Sequence, residues 1–257
     1  MVEKLVVIPT YNEKENISSI LHAVFGLNQQ FHVLVIDDSS PDGTAEIVKE
    51  LFSKFPSQLF LEIRKGKLGL GTAYIHGFKW AIEKGYQFIF EMDADFSHNP
   101  NDLQHLYAAC KNGGADLAVG SRYVNGGGVV NWPWDRIALS KGASYYTRMI
   151  TWMPVKDPTA GFMCYKKEVL ETINLDKIQF VGYAFQIEMK YAAWKLGFRI
   201  KEVPIIFQDR TMGNSKMNKS IVKEGILGVL KLRWNNLFNN YRKKVKNIEA
   251  TSPITQS

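Results

Sequence analysis

The chain alternates short, continuous apolar runs with longer segments in which apolar residues recur every three or four positions. The first pattern is typical of strands that are buried on both faces, and the second is typical of helices that cover them. Because the two patterns alternate, we predict an α/β fold with a mostly parallel sheet and helices on both faces. The predicted strands span 4–8, 31–36, 59–63, 88–92 and 116–120, and the predicted helices span 15–25, 45–52, 69–84 and 100–111.

The pattern becomes less regular after residue 122. A glycine-rich hinge and an aromatic stretch lead into a helix, and a basic amphipathic helix is predicted near the C-terminus, where it either packs on the domain or lies on a bilayer. The predicted elements are a hinge at 125–128, an aromatic stretch at 129–134, helices at 135–152, 167–173, 183–196 and 219–238, and strands ending at 165 and spanning 199–204.

Two carboxylates, Asp93 and Asp95, follow the fourth predicted strand with one residue between them. Side chains alternate along an extended segment, so a turn after Met92 would let both carboxylates converge on one hard divalent cation. Mg²⁺ and Mn²⁺ take oxygen ligands and are often completed by substrate phosphates. The alternative is a polar turn in which Ser97 or Asn99 caps the following helix.

Polar residues also follow the other predicted strands, and ligands of open α/β sheets bind outside the carboxyl ends of the strands. Tyr11 offers a ring for a base, while Glu13 and Asp38 offer acceptors for base or ribose hydroxyls. The glycines at 66–71 match neither G-x-G-x-x-G nor the Walker pattern, so a dinucleotide site or a P-loop is not predicted there.

Length and composition favour a globular protein, since 257 residues with 46% hydrophobic content suffice for a large core. Cys110 and Cys164 lack metal-ligand spacing, and we predict buried free thiols in a reducing compartment. The apolar run at 5–8 stops at Pro9, and no apolar run reaches the ~18 residues of a spanning helix. We therefore predict a cytoplasmic protein that is not integral to a membrane.

Positive charge is concentrated towards the C-terminus. Residues 210–247 carry ten lysines and arginines against one glutamate, a net charge of +9, whereas the whole chain carries +7. The remainder is therefore close to neutral, at −2. A basic segment on a near-neutral body suggests an anionic surface as partner, either a membrane or a nucleic acid.

Five motifs, taken in order, resemble those of family 2 glycosyltransferases, and among these the dolichyl-phosphate (polyprenyl-phosphate) mannosyltransferases. The resemblance covers residues 4 to about 218, and the combination of motifs in one order is more specific than any single motif. The motifs are PTYNE (9–13), DDSSPDGT (37–44), MDADFSH (92–98), GSRY (120–123) and the segment from Asp209-Arg210 to Ser215-Lys216.

The resemblance implies a nucleotide-diphospho-sugar transferase (GT-A, Rossmann-like) fold, a GDP-mannose donor, a polyprenyl phosphate acceptor and a divalent metal, Mg²⁺ or Mn²⁺. By position it implies that Ser97 ligates the metal either directly or through water. The implied nucleotide contacts are Pro9, Tyr11, Glu13, Ile36 and Asp38, the implied metal and diphosphate residues are Asp93, Ala94, Asp95 and Ser97, and the implied phosphate contacts are Arg122, Arg210 and Lys216.

The chemistry of a phosphate acceptor predicts a mechanism without a general base. A phosphate monoester has a second pKa near ~6, so its attacking oxygen is already largely deprotonated at neutral pH. Direct displacement at the anomeric carbon with inversion then needs alignment and charge neutralisation. We expect Asp95, Arg122 and Arg136 to provide this alignment and charge neutralisation, with both arginines clamping the acceptor phosphate. We interpret His98 as a turn residue.

Two further features leave alternatives open. Aromatic residues mixed with cations fit either core packing or a membrane-interface element. Glu188 either faces the site or is an exposed helical carboxylate. The residues of the aromatic and basic set are Trp132, Trp134, Tyr145, Tyr146 and Trp152 together with Arg136, Lys141 and Arg148.

We expect a catalytic domain at 1–218, a basic membrane-associating segment at 219–246 and a disordered tail at 247–257. The expected partners are GDP-mannose, polyprenyl phosphate, a membrane surface at its cytoplasmic face and a small membrane anchor protein, with no nucleic acid. One alternative enzyme uses a UDP-sugar such as UDP-glucose, or a glycan acceptor, whose hydroxyl would need a general base. The non-enzyme alternative is a basic domain that binds membrane or nucleic acid, with salt-dependent binding as its sign.

Overall fold

The computed structural model describes residues 3–182, 184–209, 227–234 and 241–243. Within these residues, strands and helices alternate up to residue 121, as the apolar pattern predicts. The elements of this first part are β1 (Lys4–Thr10), α1 (Ile17–Phe25), β2 (His32–Asp37), α2 (Thr44–Glu50), β3 (Leu59–Ile63), α3 (Leu70–Glu83), β4 (Phe88–Glu91), α4 (Asp102–Lys111) and β5 (Leu117–Ser121).

The later elements agree less closely with the sequence patterns. Residues assigned to a hinge and an aromatic stretch contribute a short strand, β6 (Gly128–Val130), which pairs in parallel with β9 (Ile206–Gln208). The predicted helix at 219–238 lies mostly outside the described residues. Of its length only residues 227–234 are described, and these are helical. The elements of this second part are β6 (Gly128–Val130), α5 (Trp134–Thr151), β7 (Met163–Lys166), α6 (Lys167–Thr172), α7 (Ala184–Lys195), β8 (Ile200–Pro204) and β9 (Ile206–Gln208).

The main sheet has the strand order β3-β2-β1-β4-β7-β5-β8. Every neighbouring pair is parallel except those of β7, which runs antiparallel to both β4 and β5. The expectation of a mostly parallel sheet is therefore confirmed, and one reversed strand is inserted near its middle. Since β7 is reversed, its first residue lies at the edge where the parallel strands end.

Side chains that alternate along the strands build a core on each face of the sheet. On β1, Val7 belongs to the core shared with α3 and α7, whereas Val6 and Ile8 belong to the core shared with α1 and α4. Gly77 of α3 is packed so closely that an added Cβ would lie 2.5 Å from the Val7 side chain. The helix can approach β1 this closely because glycine has no side chain.

The glycines at the start of α3 serve packing. Gly69 has φ +98°, which favours glycine, and a Cβ on Gly71 would lie 2.7 Å from the Phe185 ring of α7. Cys110 and Cys164 are buried free thiols, as predicted. Among the described helices, none is long and apolar enough to cross a bilayer.

Candidate active site

Three parallel strands end at one edge of the sheet and carry polar residues there. In the pairing register Thr10 of β1 lies opposite Asp37 of β2, and Val7 of β1 lies opposite Glu91 of β4. The segments that follow these strands therefore share one crevice. They carry Tyr11 and Glu13 after β1, Asp38 after β2, and Asp93, Ala94 and Asp95 after β4.

The two aspartates after β2 have different partners. Asp37 is fully buried and accepts hydrogen bonds from the Thr10 hydroxyl at 2.8 Å and from the backbone N–H of Ser40 at 2.8 Å. Asp38 pairs with Arg64, whose Nε donates to Oδ1 at 2.6 Å, and also accepts the Leu68 N–H at 3.2 Å. Asp37 thus holds the turn, while Asp38 is fixed by a buried ion pair that sequence patterns did not predict.

The residues after β1 are partly exposed at the same edge. The Tyr11 ring lies under the Lys67 ammonium, 4.6 Å from its nitrogen. The Glu13 carboxylate accepts a hydrogen bond from Asn16 Nδ2 at 3.1 Å. Pro9 is half-buried, whereas the Ile36 side chain is fully buried in the core, so a nucleotide contact at Ile36 would involve its backbone.

The segment after β4 bends sharply and buries most of its polar side chains. Asp95 and Ser97 are each 4% exposed, and the Ser97 N–H donates to Asp95 Oδ1 at 3.0 Å. Asp93 is less buried and accepts the Tyr74 hydroxyl at 3.4 Å. Ser97 does not cap the next helix, since α4 begins at Asp102 and Asn101 occupies its N-cap without a side-chain hydrogen bond.

The donor set of this segment suits a hard divalent cation that a diphosphate completes. Asp93 and Asp95 supply carboxylate oxygens and Ser97 a hydroxyl, which are the ligand types that Mg²⁺ and Mn²⁺ prefer. Within the described residues no three histidine, cysteine, aspartate or glutamate side chains form a metal cluster. A site with two carboxylates therefore needs oxygens from its substrate or from water.

His98 is a packing residue as well as a turn residue. Its ring stacks on Phe162 with centroids 4.8 Å apart and meets the edge of Phe207 at 5.5 Å. Its Nδ1 accepts the backbone N–H of Asp93 at 3.3 Å. Burial lowers the pKa of His98 to about 4, so the imidazole is neutral at physiological pH.

Arg122, at the end of β5, is buried in a two-pronged ion pair. Its Nε donates to Asp157 Oδ2 at 2.7 Å, one terminal nitrogen donates to Asp157 Oδ1 at 2.6 Å, and the same nitrogen donates to Thr159 Oγ1 at 2.8 Å. Burial alone would raise the pKa of Asp157, but the hydrogen bonds and charge of Arg122 outweigh it and hold that pKa below its ordinary value. The guanidinium is therefore rigidly placed.

Arg136 lies on the first turn of α5. One of its terminal nitrogens donates to Asp209 Oδ2 at 2.7 Å, and its guanidinium lies 4.1 Å from the ring centroid of Trp132. Both members of the ion pair are about a quarter exposed, so the pair is more accessible than that of Arg122. Arg210 and Lys216, the other predicted phosphate contacts, lie outside the described residues.

A cavity of about 600 Å³ joins these groups. Asp93, His98, Arg122 and Arg136 line its polar side. One face of α5 also lines the cavity, with residues that are mostly small or apolar. The α5 residues that line it are Ala138, Leu139, Gly142, Ala143, Tyr146 and Thr147.

A buried polar network lies behind the cavity wall. The Glu91 carboxyl group accepts hydrogen bonds from the Tyr165 hydroxyl at 2.9 Å and from Gln186 Nε2 at 2.6 Å, and Lys190 Nζ donates to the Ala160 carbonyl at 2.5 Å. Burial raises the pKa of Glu91 to about 8 and lowers the pKa of Lys190 to about 8. Through Ala160, the network holds the segment that carries Asp157 and Thr159.

Two residues that hold the candidate site, Arg64 and Lys190, escaped the sequence patterns, and one alternative is wrong. An arginine directly after β3 was the visible signal for Arg64, and the segment 157–162 resembles the family's acceptor-side loop, although the pairing of Asp157 with Arg122 was not predicted. The exposed alternative for Glu188 is wrong, because this residue is 1% exposed and accepts the N–H groups of Gln179 and Phe180. Glu188 does not line the cavity described above.

Comparison with known proteins gives a family and a set of relatives. Residues 5–173 match the family model described as glycosyl transferase family 2. The polyprenol monophosphomannose synthase of Mycolicibacterium smegmatis is 47% identical over 225 residues, covering 88% of this chain and 84% of the relative. The undecaprenyl-phosphate mannosyltransferase of Micrococcus luteus is 43% identical over 237 residues, covering 91% and 96%.

Solved structures share the fold at low sequence identity. The mannosyltransferase PcManGT from Pyrobaculum calidifontis, solved in complex with GDP-Man and Mn²⁺, matches with a TM-score of 0.54 and 14% identity. The match covers 93% of this chain and 76% of the other. The predicted nucleotide-diphospho-sugar transferase fold is thereby confirmed.

Proposed function

The chain belongs to glycosyl transferase family 2, and on that premise we propose that it transfers mannose from GDP-mannose to a polyprenyl phosphate with inversion. The observation that carries the proposal is the cavity of about 600 Å³, which is lined by the Asp93 carboxylate, by Arg122 and Arg136, and by small and apolar residues of α5. An acceptor with a phosphate head and a hydrocarbon tail needs both the charged and the apolar part of this lining. The names of the two relatives, a monophosphomannose synthase and a mannosyltransferase, support the same acceptor and sugar.

The donor binds along the strand ends in this proposal. Tyr11 and Glu13 receive the nucleoside with Asp38, which Arg64 holds in place. Asp93 and Asp95, with Ser97, hold Mg²⁺ or Mn²⁺. When bound, the cation neutralises the diphosphate leaving group. The neighbour solved with GDP-Man and Mn²⁺ supports this donor and a divalent cation.

The acceptor phosphate binds between Arg122 and Arg136. Asp157 fixes the Arg122 guanidinium within the wall, so this charge is positioned before substrate arrives. Arg136 is held by Asp209, whose side chain is 29% exposed, and an incoming phosphate would share or replace that partner. Fixed guanidinium groups align two anions that would otherwise repel each other.

The arrangement supports attack by the phosphate oxygen without a protein base. His98 is packed between Phe162 and Phe207, and its Nδ1 accepts the Asp93 N–H. The Asp157 carboxylate is already paired with the Arg122 guanidinium. Since a phosphate monoester is already largely ionised at neutral pH, neither residue has to take a proton from it.

The protein is placed at the cytoplasmic face of a membrane in this proposal. Trp134, Tyr145 and Trp152 of α5 and its C-terminal end are 83%, 70% and 71% exposed, which favours the interface interpretation of the aromatic set. A lipid acceptor could then enter the cavity along α5 without leaving the bilayer. A membrane anchor protein as partner and the domain limits at 218 and 246 stay predictions.

The test is transfer of radiolabelled mannose from GDP-mannose to polyprenyl phosphate in detergent, with and without EDTA. We expect lipid-linked mannose that EDTA abolishes and that Asp95→Asn lowers by about two to three orders of magnitude. Asp176→Asn, which removes an exposed carboxylate paired with Lys79, should leave the rate unchanged.

The alternatives predict other outcomes of the same assay. Transfer from UDP-glucose alone would change the donor, and transfer to a glycan alone would change the acceptor. Absence of transfer from every donor, together with salt-dependent binding of RNA or DNA, would favour the non-enzyme alternative.

A further inference from the structure

Helix α5 separates two hollows of different chemistry. Its apolar face lines the cavity described above, while residues on another face line a second hollow of about 470 Å³ between α5 and β6. We call this second hollow the basic groove and define it by Lys141, Arg148 and Lys156. The other α5 and β6 residues that line it include Ile137, Tyr145, Gly128 and Val129.

Four cations line the basic groove, and three of them come from two segments, while the fourth, Arg122, also lines the first cavity and is paired with Asp157. Lys141 and Arg148 are seven residues apart on α5, which places them on the same side of the helix two turns apart. Lys156 joins them from the connection between α5 and β7. All three side chains are exposed.

Their charges are not neutralised by described carboxylates. Within the described part of the chain, no aspartate or glutamate forms an ion pair with Lys141, Arg148 or Lys156. The nearby carboxylates have other partners. Glu202 accepts the backbone N–H groups of Lys156 and Asp157, and Asp157 holds Arg122. A concave site with three such cations complements an anion of the phosphate class.

The surroundings of the basic groove select among phosphate-bearing ligands. Tyr145 lines the groove and is 70% exposed, and Met149 is 57% exposed one helical turn further on. A neighbouring hollow is lined by Trp152, Trp234 and the Arg233 side chain, whose guanidinium lies 4.5 Å from the Trp152 ring centroid. Exposed aromatic and aliphatic side chains beside cations match the polar–apolar boundary of a bilayer.

We propose that the basic groove binds the phosphate headgroup of an anionic membrane lipid other than the acceptor. This inference rests on the membrane placement in the proposed function, and it adds a lipid site on the face of α5 opposite the acceptor cavity. A headgroup bound there would orient α5 on the bilayer, so that the apolar face of α5 contacts the polyprenyl phosphate as it enters the cavity.

The experiment measures binding of the full chain to vesicles of phosphatidylcholine with and without phosphatidylglycerol. We expect phosphatidylglycerol to strengthen binding, and Lys141→Ala/Arg148→Ala to remove most of that gain, with about a 30-fold loss of partitioning. The control is Lys49→Ala/Lys54→Ala, which removes the same charge from α2 and the following turn and should change partitioning little. Equal losses in both variants, or no loss in the first, would overturn the proposal.

Two further arms exclude other ligands. Inorganic phosphate that competes with the vesicles at equal phosphate concentration would show that the groove takes free phosphate, and RNA binding lost in the variant while vesicle binding persists would show a nucleic-acid site. Either result overturns the proposal. Lys156→Ala, outside α5, gives a second variant whose vesicle binding should also fall.

A transfer assay in detergent separates this proposal from the proposed function. The Lys141→Ala/Arg148→Ala variant should transfer mannose as fast as the unmodified chain, because neither residue contacts the acceptor cavity. If the unmodified chain transferred no sugar, the proposed function would fail, whereas the vesicle measurements would still decide whether the basic groove binds anionic lipid.

Discussion

Two buried Arg–Asp pairs hold the two sides of the candidate site. Arg64–Asp38 lies at the ends of β2 and β3 on the nucleotide side, and its side chains are each 8% exposed. Arg122–Asp157 lies at the end of β5 on the acceptor side, with side chains 6% and 0% exposed. Under the proposed function, the arginine of the first pair positions the aspartate for the donor nucleoside, and the aspartate of the second pair positions the arginine for the acceptor phosphate.

In that proposal, the difference follows from the part of the substrates that each side receives. A nucleoside presents hydroxyl and N–H donors, which a fixed carboxylate can accept. A phosphate presents negative charge, which a fixed guanidinium can bind. The same pair of residue types therefore serves opposite purposes, depending on which member faces the crevice.

The largest effect is expected for Asp157→Asn. This change leaves Arg122 buried without its counter-charge, and breaking a buried pair costs about 3–5 kcal/mol. We expect a lower free energy of unfolding in urea and, in the protein that remains folded, a raised KM for the lipid acceptor with the KM for GDP-mannose unchanged. A KM change for the donor alone would contradict the assignment of the two sides.

A smaller effect is expected for Asp38→Asn. Arg64 keeps hydrogen bonds to Thr72 Oγ1 at 2.8 Å and has the Gly69 carbonyl at 3.4 Å, so we expect a stability loss of about 1–3 kcal/mol. The KM for GDP-mannose should rise while that for the acceptor stays constant. Isothermal titration with GDP checks the same prediction without turnover.

The third expected effect concerns the buried network that holds the Asp157 segment. Burial raises the pKa of Glu91 from 4.5 to about 8, so the folded protein binds this proton more tightly than the unfolded chain does. The Glu91 contribution to stability is therefore complete below pH 4.5 and is lost as the pH rises towards 8.

Glu91→Gln tests this linkage. Between pH 5 and 8, the free energy of unfolding of the unmodified chain should fall relative to that of the variant, as measured by urea denaturation at several pH values. If the difference in the free energy of unfolding between the unmodified chain and the variant stays constant from pH 5 to pH 8, Glu91 does not titrate as its burial implies.

The smallest effect is expected for Asp116→Asn. Asp116, whose side chain is 20% exposed, pairs with Arg199 and with Lys166, whose side chains are 69% and 26% exposed. Exposed pairs contribute about 0–1 kcal/mol, so stability and both KM values should change little. A large loss here would show that burial is not what distinguishes the two pairs in the site.

The sequence predicted those strands and helices that are specified by the pattern of neighbouring residues. Strands up to β5 are continuous apolar runs, and the residues after them are the polar ones that reach the edge. The strand β6 was missed because Gly128 to Val130 lacks an apolar run of strand length, and its partner β9 lies far along the chain. The direction of β7 was also unpredictable, since a strand of four residues reads the same in either direction.

The sequence predicted where the candidate site residues lie along the chain, but it did not predict which residues form ion pairs with them. Asp93, Asp95 and Arg122 follow strand ends, which the apolar pattern locates. The pairing of Arg122 with Asp157 depends on β7 lying beside β5, and that of Asp38 with Arg64 depends on β2 lying beside β3. Neither spacing, 35 nor 26 residues, has a sequence signature of its own.

The reversed strand β7 also bears on the order of folding. Its pairing joins Glu91 to Met163, whereas β1 pairs with β2 between residues 27 positions apart, such as Thr10 and Asp37. Contacts between distant residues form late because a longer loop must close first. Under the proposed function, the strand pairing of the nucleotide half of the crevice is thus expected to form before that of the acceptor half, which depends on the more distant β7.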